Sequence, residues 1–574
     1  MASWCKKAGG GLAALAVTAV LVAGCQPRAG NDDAARKAAA EHRGQTTALT
    51  AFLAGRFAHQ QGDTRAAAEY YAQALKHDPD NVELLGRAFT LMVAEGRFDD
   101  AVPLAHRLLA FDADSPIPLL VAGVADARDG RFAQAEARFA ALPKRGFNVF
   151  LSPLLAAWCR AGEGKTDAAM DLLKPLAEAK GLEPLHAFHA GLINDIGGRT
   201  EAAEGHYVAA LDSALAIRTI EAAGSFYQRT GRIEKARSLY QGYESEHPDT
   251  MLFDGAALLK AGAGVPRAVP DAKAGIAQAL FDAASMMRQG NALDVSLLFS
   301  RLTLALDPNF TLARMTVGDI LSQQERLAEA NSVYSGIDRS SAAHDYARLR
   351  VAMNLEDMGD VEGALAALDA LAKDRPQSID ALTTKGDVLR KHKRFEEAAA
   401  AYQAAFTRLG PPQERHWLLH FSRGIAYERS GQWPKAEADF ARALELKPDQ
   451  PDVLNYLGYS WVDRGERLEE GRKMIEKAVE LRPKDGAIVD SLGWALYRMG
   501  DFQGAVKQLE RAIELKPEDP TINDHLGDAY WQVGRTAEAM FQWQRAMTLD
   551  PEPEQIAPLK EKIRTGEVPA QPVK

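Results

Sequence analysis

The chain alternates short apolar stripes with polar positions at the period of an α-helix. Near its end, two such stripes follow one another: Leu526, Gly527 and Tyr530, then Ala539, Trp543 and Ala546. Spacings of three and four residues place each set on one face of a helix. Gly534 lies between the two sets, and Pro551 follows the second. Because glycine readily ends a helix and proline cannot continue one, the pattern predicts a helical hairpin.

The hairpin recurs along the chain at a constant spacing. Residues at this spacing are Gly62, Gly96, Gly130, Gly164 and Gly198 in the first part, and Pro483, Pro517 and Pro551 in the last. A period shared by both parts indicates a repeat array. We expect about fourteen repeats, which begin near residues 48, 82, 116, 150, 184, 217, 277, 311, 345, 379, 417, 451, 486 and 520.

The repeated positions resemble the tetratricopeptide repeat. That family has a period of about 34 residues. Its pattern places Leu-Gly, Tyr, Ala, Phe or Tyr, Ala and Pro across one period, and Gly424, Tyr427, Ala436, Phe440 and Pro448 follow it. The resemblance implies an all-α fold, a right-handed superhelical solenoid of tetratricopeptide helix hairpins. Small residues let the two helices of a hairpin approach, and the large aromatic residue fills the space between neighbouring hairpins.

The register of the repeats breaks between two long series. Residues 48–250 are predicted as the N-terminal repeats and residues 277–553 as the C-terminal repeats. Residues 251–276 lose the register and contain a cluster of glycines and prolines that break helices, which predicts a hinge or an irregular helical connection. Residues 554–574 are predicted as a capping helix followed by a disordered tail.

The beginning of the sequence resembles a bacterial lipoprotein signal. Two lysines precede an uncharged run that ends at Ala23, and the sequence Leu-Val-Ala-Gly-Cys ends at Cys25. The run is short for a membrane span, although a membrane helix that contains a cysteine is the alternative. The resemblance implies a signal peptide at 1–24, a lipid on Cys25 and a tether at 25–47. Gln26 is not an aspartate, so we expect attachment to the outer membrane, facing the periplasm.

Charge and cysteine content exclude several classes of function. The formal net charge is −10, which disfavours non-specific nucleic-acid binding. Apart from the cysteines of the predicted signal and lipidation site, Cys159 is the one thiol, and no Cys/His cluster has metal-ligand spacing. His186 and His189 could share a metal, but packing histidines explain them better. No catalytic motif is present, so we expect no enzyme, no metal and no cofactor.

The first helix of each repeat lines the inner groove in proteins of this family. When the family's ligand positions are carried over to the last three repeats, they fall on Asn455, Tyr459, Asp490, Trp494, Tyr497, Asp524, Asp528 and Trp531. Aromatic side chains beside polar ones are common anchors for peptides. These residues predict a groove for a cationic or neutral protein segment. The alternative is that Trp494 and Trp531 pack between hairpins.

The whole layout resembles the outer-membrane lipoprotein adaptors of periplasmic carboxyl-terminal processing proteases. The segments that carry this likeness are LNYLGYSWVDRGERLEEG at 454–471 and DSLGWALYRMGDFQGAV at 490–506. The likeness implies an adaptor that brings a periplasmic protease to its cell-wall hydrolase substrates. A scaffold subunit of a pilus, polysaccharide-export or outer-membrane assembly machine is the alternative. A repeat-bearing glycosyltransferase fits least, because it needs a large domain without repeats.

Overall fold

The computed structural model describes residues 47–213, 216–248, 250–260 and 264–568. The predicted signal peptide, Cys25, and all of the predicted tether before Thr47 lie outside the described residues, as do residues 569–574. The described chain is helical and contains no strand. No described helix has the length and apolar character needed to cross a membrane.

The helices follow one another as antiparallel pairs. The first twelve are α1 Ala48–Gln60, α2 Thr64–His77, α3 Val82–Ala94, α4 Phe98–Phe111, α5 Pro116–Arg128, α6 Phe132–Ala140, α7 Asn148–Gly162, α8 Thr166–Glu178, α9 Glu183–Ile196, α10 Thr200–Ser213, α11 Ile217–Arg229 and α12 Ile233–Glu246. They form six hairpins. A short helix, α13 Gly255–Lys260, follows them in the predicted connection.

Eight further hairpins and one single helix complete the described chain. These helices are α14 Ala272–Gln289, α15 Leu293–Leu306, α16 Thr311–Gln323, α17 Leu327–Ser335, α18 Ala343–Asp357, α19 Val361–Asp374, α20 Asp380–Lys391, α21 Phe395–Arg408, α22 Trp417–Arg429, α23 Trp433–Leu446, α24 Pro451–Asp463, α25 Leu468–Leu481, α26 Gly486–Arg498, α27 Phe502–Leu515, α28 Pro520–Gln532, α29 Thr536–Thr548 and α30 Pro553–Thr565. The all-α solenoid of helix hairpins predicted from the sequence is confirmed.

A glycine on the first helix faces a large side chain on the second in most hairpins, always at the same separation along the sequence. The pairs with an aromatic partner are Gly55–Tyr71, Gly123–Phe139, Gly191–Tyr207, Gly224–Tyr240, Gly318–Tyr334, Gly386–Tyr402, Gly424–Phe440 and Gly527–Trp543. A Cβ on Gly424 would lie 2.5 Å from Cε1 of Phe440. Since no side chain tolerates that distance, the glycine sets how closely the two helices pack.

The turn inside each hairpin depends on one residue with a positive φ. Gly231 and Gly431 take this conformation at φ values of 77° and 76°. In repeats that lack the glycine, Glu325 and Lys393 take it at 61° and 58°. The left-handed region favours glycine, so these non-glycine turns explain why the sequence period is less regular there.

The chain divides into two compact units, and the boundary falls inside α5, between Ala122 and Gly123. The first unit contains a core that includes Tyr71 and Leu85. The second unit extends from Gly123 and includes the predicted connection at 251–276. In that connection Val269 is only 2% exposed. The predicted connection therefore lies inside the second unit, and the boundary between the two units falls elsewhere, inside α5.

We expect Gly424→Ala to destabilise its hairpin by about 1–3 kcal/mol, because the new methyl group overpacks against Phe440. Gly205→Ala is the matched control, since Gly205 also lies in a helix but, apart from its chain neighbours and the adjacent backbone of its own helix, nothing lies within 4 Å of its Cβ position. That control should stabilise its helix by roughly 0.5–1 kcal/mol. Hydrogen exchange of the amides in each hairpin measures both effects. Equal effects at the two sites would refute the packing argument.

Candidate functional site

A groove runs along the first helices of the last four hairpins, where α24 contacts α26 and α26 contacts α28. It encloses about 780 Å³. Its aromatic lining is Trp433, Tyr456 and Tyr459, its acidic lining is Glu428, Asp463, Glu466, Asp490 and Asp519, and its basic lining is Arg429 and Arg464. We call this cavity the C-terminal groove. Three of the eight predicted groove residues line it: Asn455, Tyr459 and Asp490.

The two tyrosines of the C-terminal groove keep their protons. Burial, reinforced by the Glu428 carboxylate, raises the pKa of Tyr456, and its hydroxyl donates to Glu428 at 3.0 Å. Burial followed by Asp463 and Asp490 raises the pKa of Tyr459. The amide oxygen of Asn455 is buried and has no hydrogen-bond partner among the described residues. The groove wall therefore combines aromatic surface with polar groups suited to a peptide backbone.

Asp490 of the groove lining contacts His525, and the ring of His525 stacks on the buried Trp494. Trp494 is 5% exposed and lies parallel to His525 at 4.1 Å on one side and to Tyr497 at 4.9 Å on the other. Nδ1 of His525 lies 2.9 Å from the Asp490 carboxylate. Gln532 donates to the Tyr497 hydroxyl at 3.3 Å. Trp494 thus packs between neighbouring hairpins, which is the alternative that the sequence left open.

The last helix of the described chain, α30, covers Asp524, Asp528 and Trp531. Nζ of Lys562 in α30 lies 2.8 Å from the Asp524 carboxylate and 2.7 Å from that of Asp528. Trp543 also donates to Asp528 at 2.9 Å. Trp531 donates its indole N–H to the carbonyl of Gly566 at 3.1 Å. These three residues therefore hold α30 in place and do not line the C-terminal groove. The sequence prediction did not foresee this role.

The charges beneath α30 depend on one another. Burial raises the pKa of Asp528 to about 6, with Asp524 adding to the rise and Lys562 opposing it. Burial lowers the pKa of Lys562, but Asp528 and Asp524 outweigh it, so the pKa is raised. The lysine therefore stays charged between two carboxylates. Such a buried pair tolerates the loss of neither partner.

His525, Lys562, Tyr456 and Glu428 matter at this site, although the sequence reasoning did not single them out. Their contacts join residues about one repeat apart: His525 lies 35 positions after Asp490, and Tyr456 lies 28 after Glu428. The sequence does contain a signal for the Asp490–His525 pair. An acidic and a basic residue stand about one repeat apart on successive first helices, where they are expected to be neighbours.

His186 and His189, which the sequence places three residues apart on one helix, have different neighbours in the structure. Among the described residues, no group of three His, Cys, Asp or Glu side chains could hold a metal ion. His189 accepts a hydrogen bond from Trp158 and contacts Asp282, whereas the His186 ring packs against His206. The two histidines therefore have separate partners. Cys159 is buried, and burial raises the pKa of its thiol to about 12.

We expect Lys562→Met to cost about 3–5 kcal/mol of the docking free energy of α30, because it leaves the buried carboxylate of Asp528 and the partly buried one of Asp524 without their cation. Lys560→Met on the exposed side of the same helix is the matched control. Hydrogen exchange or limited proteolysis of α30 measures the loss. Equal protection of α30 in the two variants would contradict the assigned role of Lys562.

The His525–Asp490 pair predicts a pH dependence. Burial lowers the pKa of His525, but Asp490 and then Asp524 and Asp528 outweigh it, so the pKa is raised. The pair therefore stabilises α28 fully below the unfolded pKa of about 6.5, and the stabilisation is lost as the pH rises through the raised value. His525→Asn is the control, since its amide can donate to Asp490 at every pH. Hydrogen exchange of α28, corrected for intrinsic rates, should show protection that falls off with rising pH only in the native chain.

The comparisons with known proteins agree with the helix hairpins. Models described as tetratricopeptide repeat match residues 58–118, 349–414, 417–450 and 521–553, and one described as TPR repeat matches 493–534. The TPR repeat-containing protein PA4667 of Pseudomonas aeruginosa is 29% identical over 191 residues, which span 33% of this chain and 31% of that relative's length.

Two solved structures are similar over most of the chain. The APC/C hetero-tetramer Cut9–Hcn1 is 14% identical, covers 90% of this chain and 95% of its own, and gives a TM-score of 0.38. Yeast Tom70 is 14% identical with the same two coverages and a TM-score of 0.32. Residues 58–118, 349–414, 417–450 and 493–553 of the chain thus match tetratricopeptide repeat models, and in the structure these stretches consist of helix hairpins.

Proposed function

We propose that this protein is a lipid-anchored scaffold of the bacterial cell envelope, which binds an extended segment of a partner protein in the C-terminal groove. Tetratricopeptide repeats generally bind other proteins or peptides. The observation that carries the proposal is the C-terminal groove, about 780 Å³ in volume and lined by tyrosines and carboxylates. Helix α30 reaches the edge of this groove, where Gln555 donates to the hydroxyl of Thr521 at 2.8 Å. Its Lys562 covers the neighbouring Asp524 and Asp528, which do not line the groove.

The charges of the C-terminal groove favour a cationic or neutral segment. Five carboxylates line it against two guanidinium groups. Four of the carboxylates have a basic partner: Asp463 with Arg498 at 3.3 Å, Asp519 with Lys516 at 2.7 Å, Glu466 with Arg464 at 3.2 Å and Asp490 with His525 at 2.9 Å. A carboxylate has about four lone-pair sites and can accept further hydrogen bonds. An acidic segment would meet a lining in which carboxylates outnumber guanidinium groups.

The partner that we propose is a periplasmic carboxyl-terminal processing protease together with its cell-wall hydrolase substrate. The proposal follows from the likeness of residues 454–471 and 490–506 to lipoprotein adaptors. A scaffold that holds both proteins raises their effective concentration without any catalysis of its own. A lipid on Cys25 would confine this encounter to the membrane surface.

Affinity capture from solubilised envelopes, followed by mass spectrometry, tests the proposal. The variant Tyr459→Ala/Asp463→Asn removes an aromatic group and a charge from the C-terminal groove. Loss of an aromatic anchor costs about 2 kcal/mol, or roughly thirtyfold in the dissociation constant. The variant should therefore lose the protease and hydrolase that the native chain captures. Phe541→Ala/Glu514→Gln, at two exposed positions outside the groove, is the matched control.

Each part of the proposal has its own contradicting result. Capture of the same partners by the groove variant would show that the binding site does not lie in the C-terminal groove. Capture of a multiprotein assembly machine in place of a protease would favour the alternative scaffold. Cys25→Ala should shift the protein from the membrane fraction to the soluble fraction, and retention in the membrane would refute the lipid anchor.

A further inference from the structure

Residues 264–271 cross the face formed by the first helices of the fifth and sixth hairpins, α9 and α11. The described part of this segment is not helical beyond Gly264, and Pro266 and Pro270 are exposed to solvent. Val269 is only 2% exposed. The segment therefore lies on the helices as a bound peptide would, with Val269 as a buried anchor beside solvent-facing prolines.

Side chains of α11 hold the backbone of this segment. The hydroxyl of Ser225 donates to the carbonyl of Pro266 at 2.7 Å, and Arg218 donates to the carbonyl of Ala268 at 3.3 Å. The two carbonyls belong to alternate residues, which share one edge of an extended chain. Arg218 and Ser225 lie seven positions apart and share one face of α11. Recognition of a peptide backbone uses the same arrangement of donors.

Arg267 completes the contact on α9. Its Nε donates to the carboxylate of Asp195 at 3.3 Å, and its Nη2 donates to the carbonyl of Asp195 at the same distance. Asp195 is 7% exposed and also accepts from Arg229 and Tyr207. Its carbonyl lies in the last turn of α9, where the helix dipole is negative. The arginine thus meets a carboxylate and a helix end together.

Helix α14, which follows this segment, is held by contacts of its own. The peptide-like contact is therefore confined to residues 264–271. Trp158 donates to Nδ1 of His189 at 2.9 Å, which leaves the proton on Nε2 to be donated to Asp282 of α14 at 2.9 Å. Gln278 donates to the same carboxylate at 2.9 Å. Trp158 also packs against Gly275. These buried contacts hold α14 without help from Arg267 or Val269.

We propose that the first-helix face of α9 and α11 is a second peptide-binding site, which takes an extended segment containing proline and arginine and which the chain's own residues 265–269 fill. A partner segment of the same chemistry would bind by displacing them. The site is distinct from the C-terminal groove and does not depend on the function proposed for it.

A peptide added in trans tests this site. The variant Arg267→Ala/Val269→Ser of the full chain removes both anchors of the internal segment and leaves Asp195, Ser225 and Arg218 unchanged. A fluorescein-labelled peptide with the sequence of residues 264–271, GVPRAVPD, should bind this variant at least about tenfold more tightly than the native chain, which already occupies the site. Fluorescence anisotropy measures the affinity.

The controls separate this site from non-specific binding. Arg339→Ala/Val208→Ser removes an exposed arginine and an exposed valine elsewhere and should bind the peptide no better than the native chain. We call Arg267→Ala/Val269→Ser the unseated variant. Adding Ser225→Ala to it should weaken binding, and so should replacing the peptide's arginine with alanine. If the double variant loses helicity, the single substitution Arg267→Ala, whose side chain is 39% exposed, takes its place.

Three results would overturn the proposal. Equal binding to the native chain and the unseated variant would place the peptide elsewhere. No binding to an unseated variant of native helicity would show that the face does not recognise this segment in trans. Binding that is insensitive to both Ser225→Ala and the loss of the peptide's arginine would exclude the contacts on which the site is built.

Discussion

The close approach of the two helices in each hairpin governs the rest of the structure. A glycine on the first helix leaves room for a large side chain on the second, as Gly527 does for Trp543. Since side chains in a protein interior pack at crystal density, an extra methyl group at this point separates the helices. Within the second unit neighbouring first helices then lie side by side, and their outward positions form a common face that includes the C-terminal groove.

The repeated part of the fold could be predicted from the sequence because the residues of the same helix–helix contact recur many times along the chain. Phe440 and Trp543 stand at equivalent positions, so one motif supports the next. Features that occur once gave no such signal. The unit boundary inside α5 and the docking of residues 264–271 depend on contacts between distant residues, such as Arg267 with Asp195. Helix breakers predict an interruption but not where it packs.

The candidate site likewise contains residues whose position was predicted from the sequence and residues whose role was not. Asn455, Tyr459 and Asp490 line the groove because their positions on the first helix are fixed by the repeat. Asp524, Asp528 and Trp531 occupy equivalent positions but lie in the last hairpin, where no further repeat follows in the described chain. There Lys562 of α30 takes the place that a following hairpin or a ligand would take. The family pattern gives the face on which a side chain lies, but the end of an array decides what covers it.

The first-helix face is therefore used in three ways along the second unit. Beneath α30 it is closed by a buried lysine, and on α9 and α11 it carries a segment of the chain itself. Between Glu428 and Asp519 it remains open as the C-terminal groove. An internal segment competes at a high effective concentration, so an external ligand must contribute more contacts than the segment that it displaces. The open groove carries no such cost, and for this reason we assign the first encounter with a partner to it.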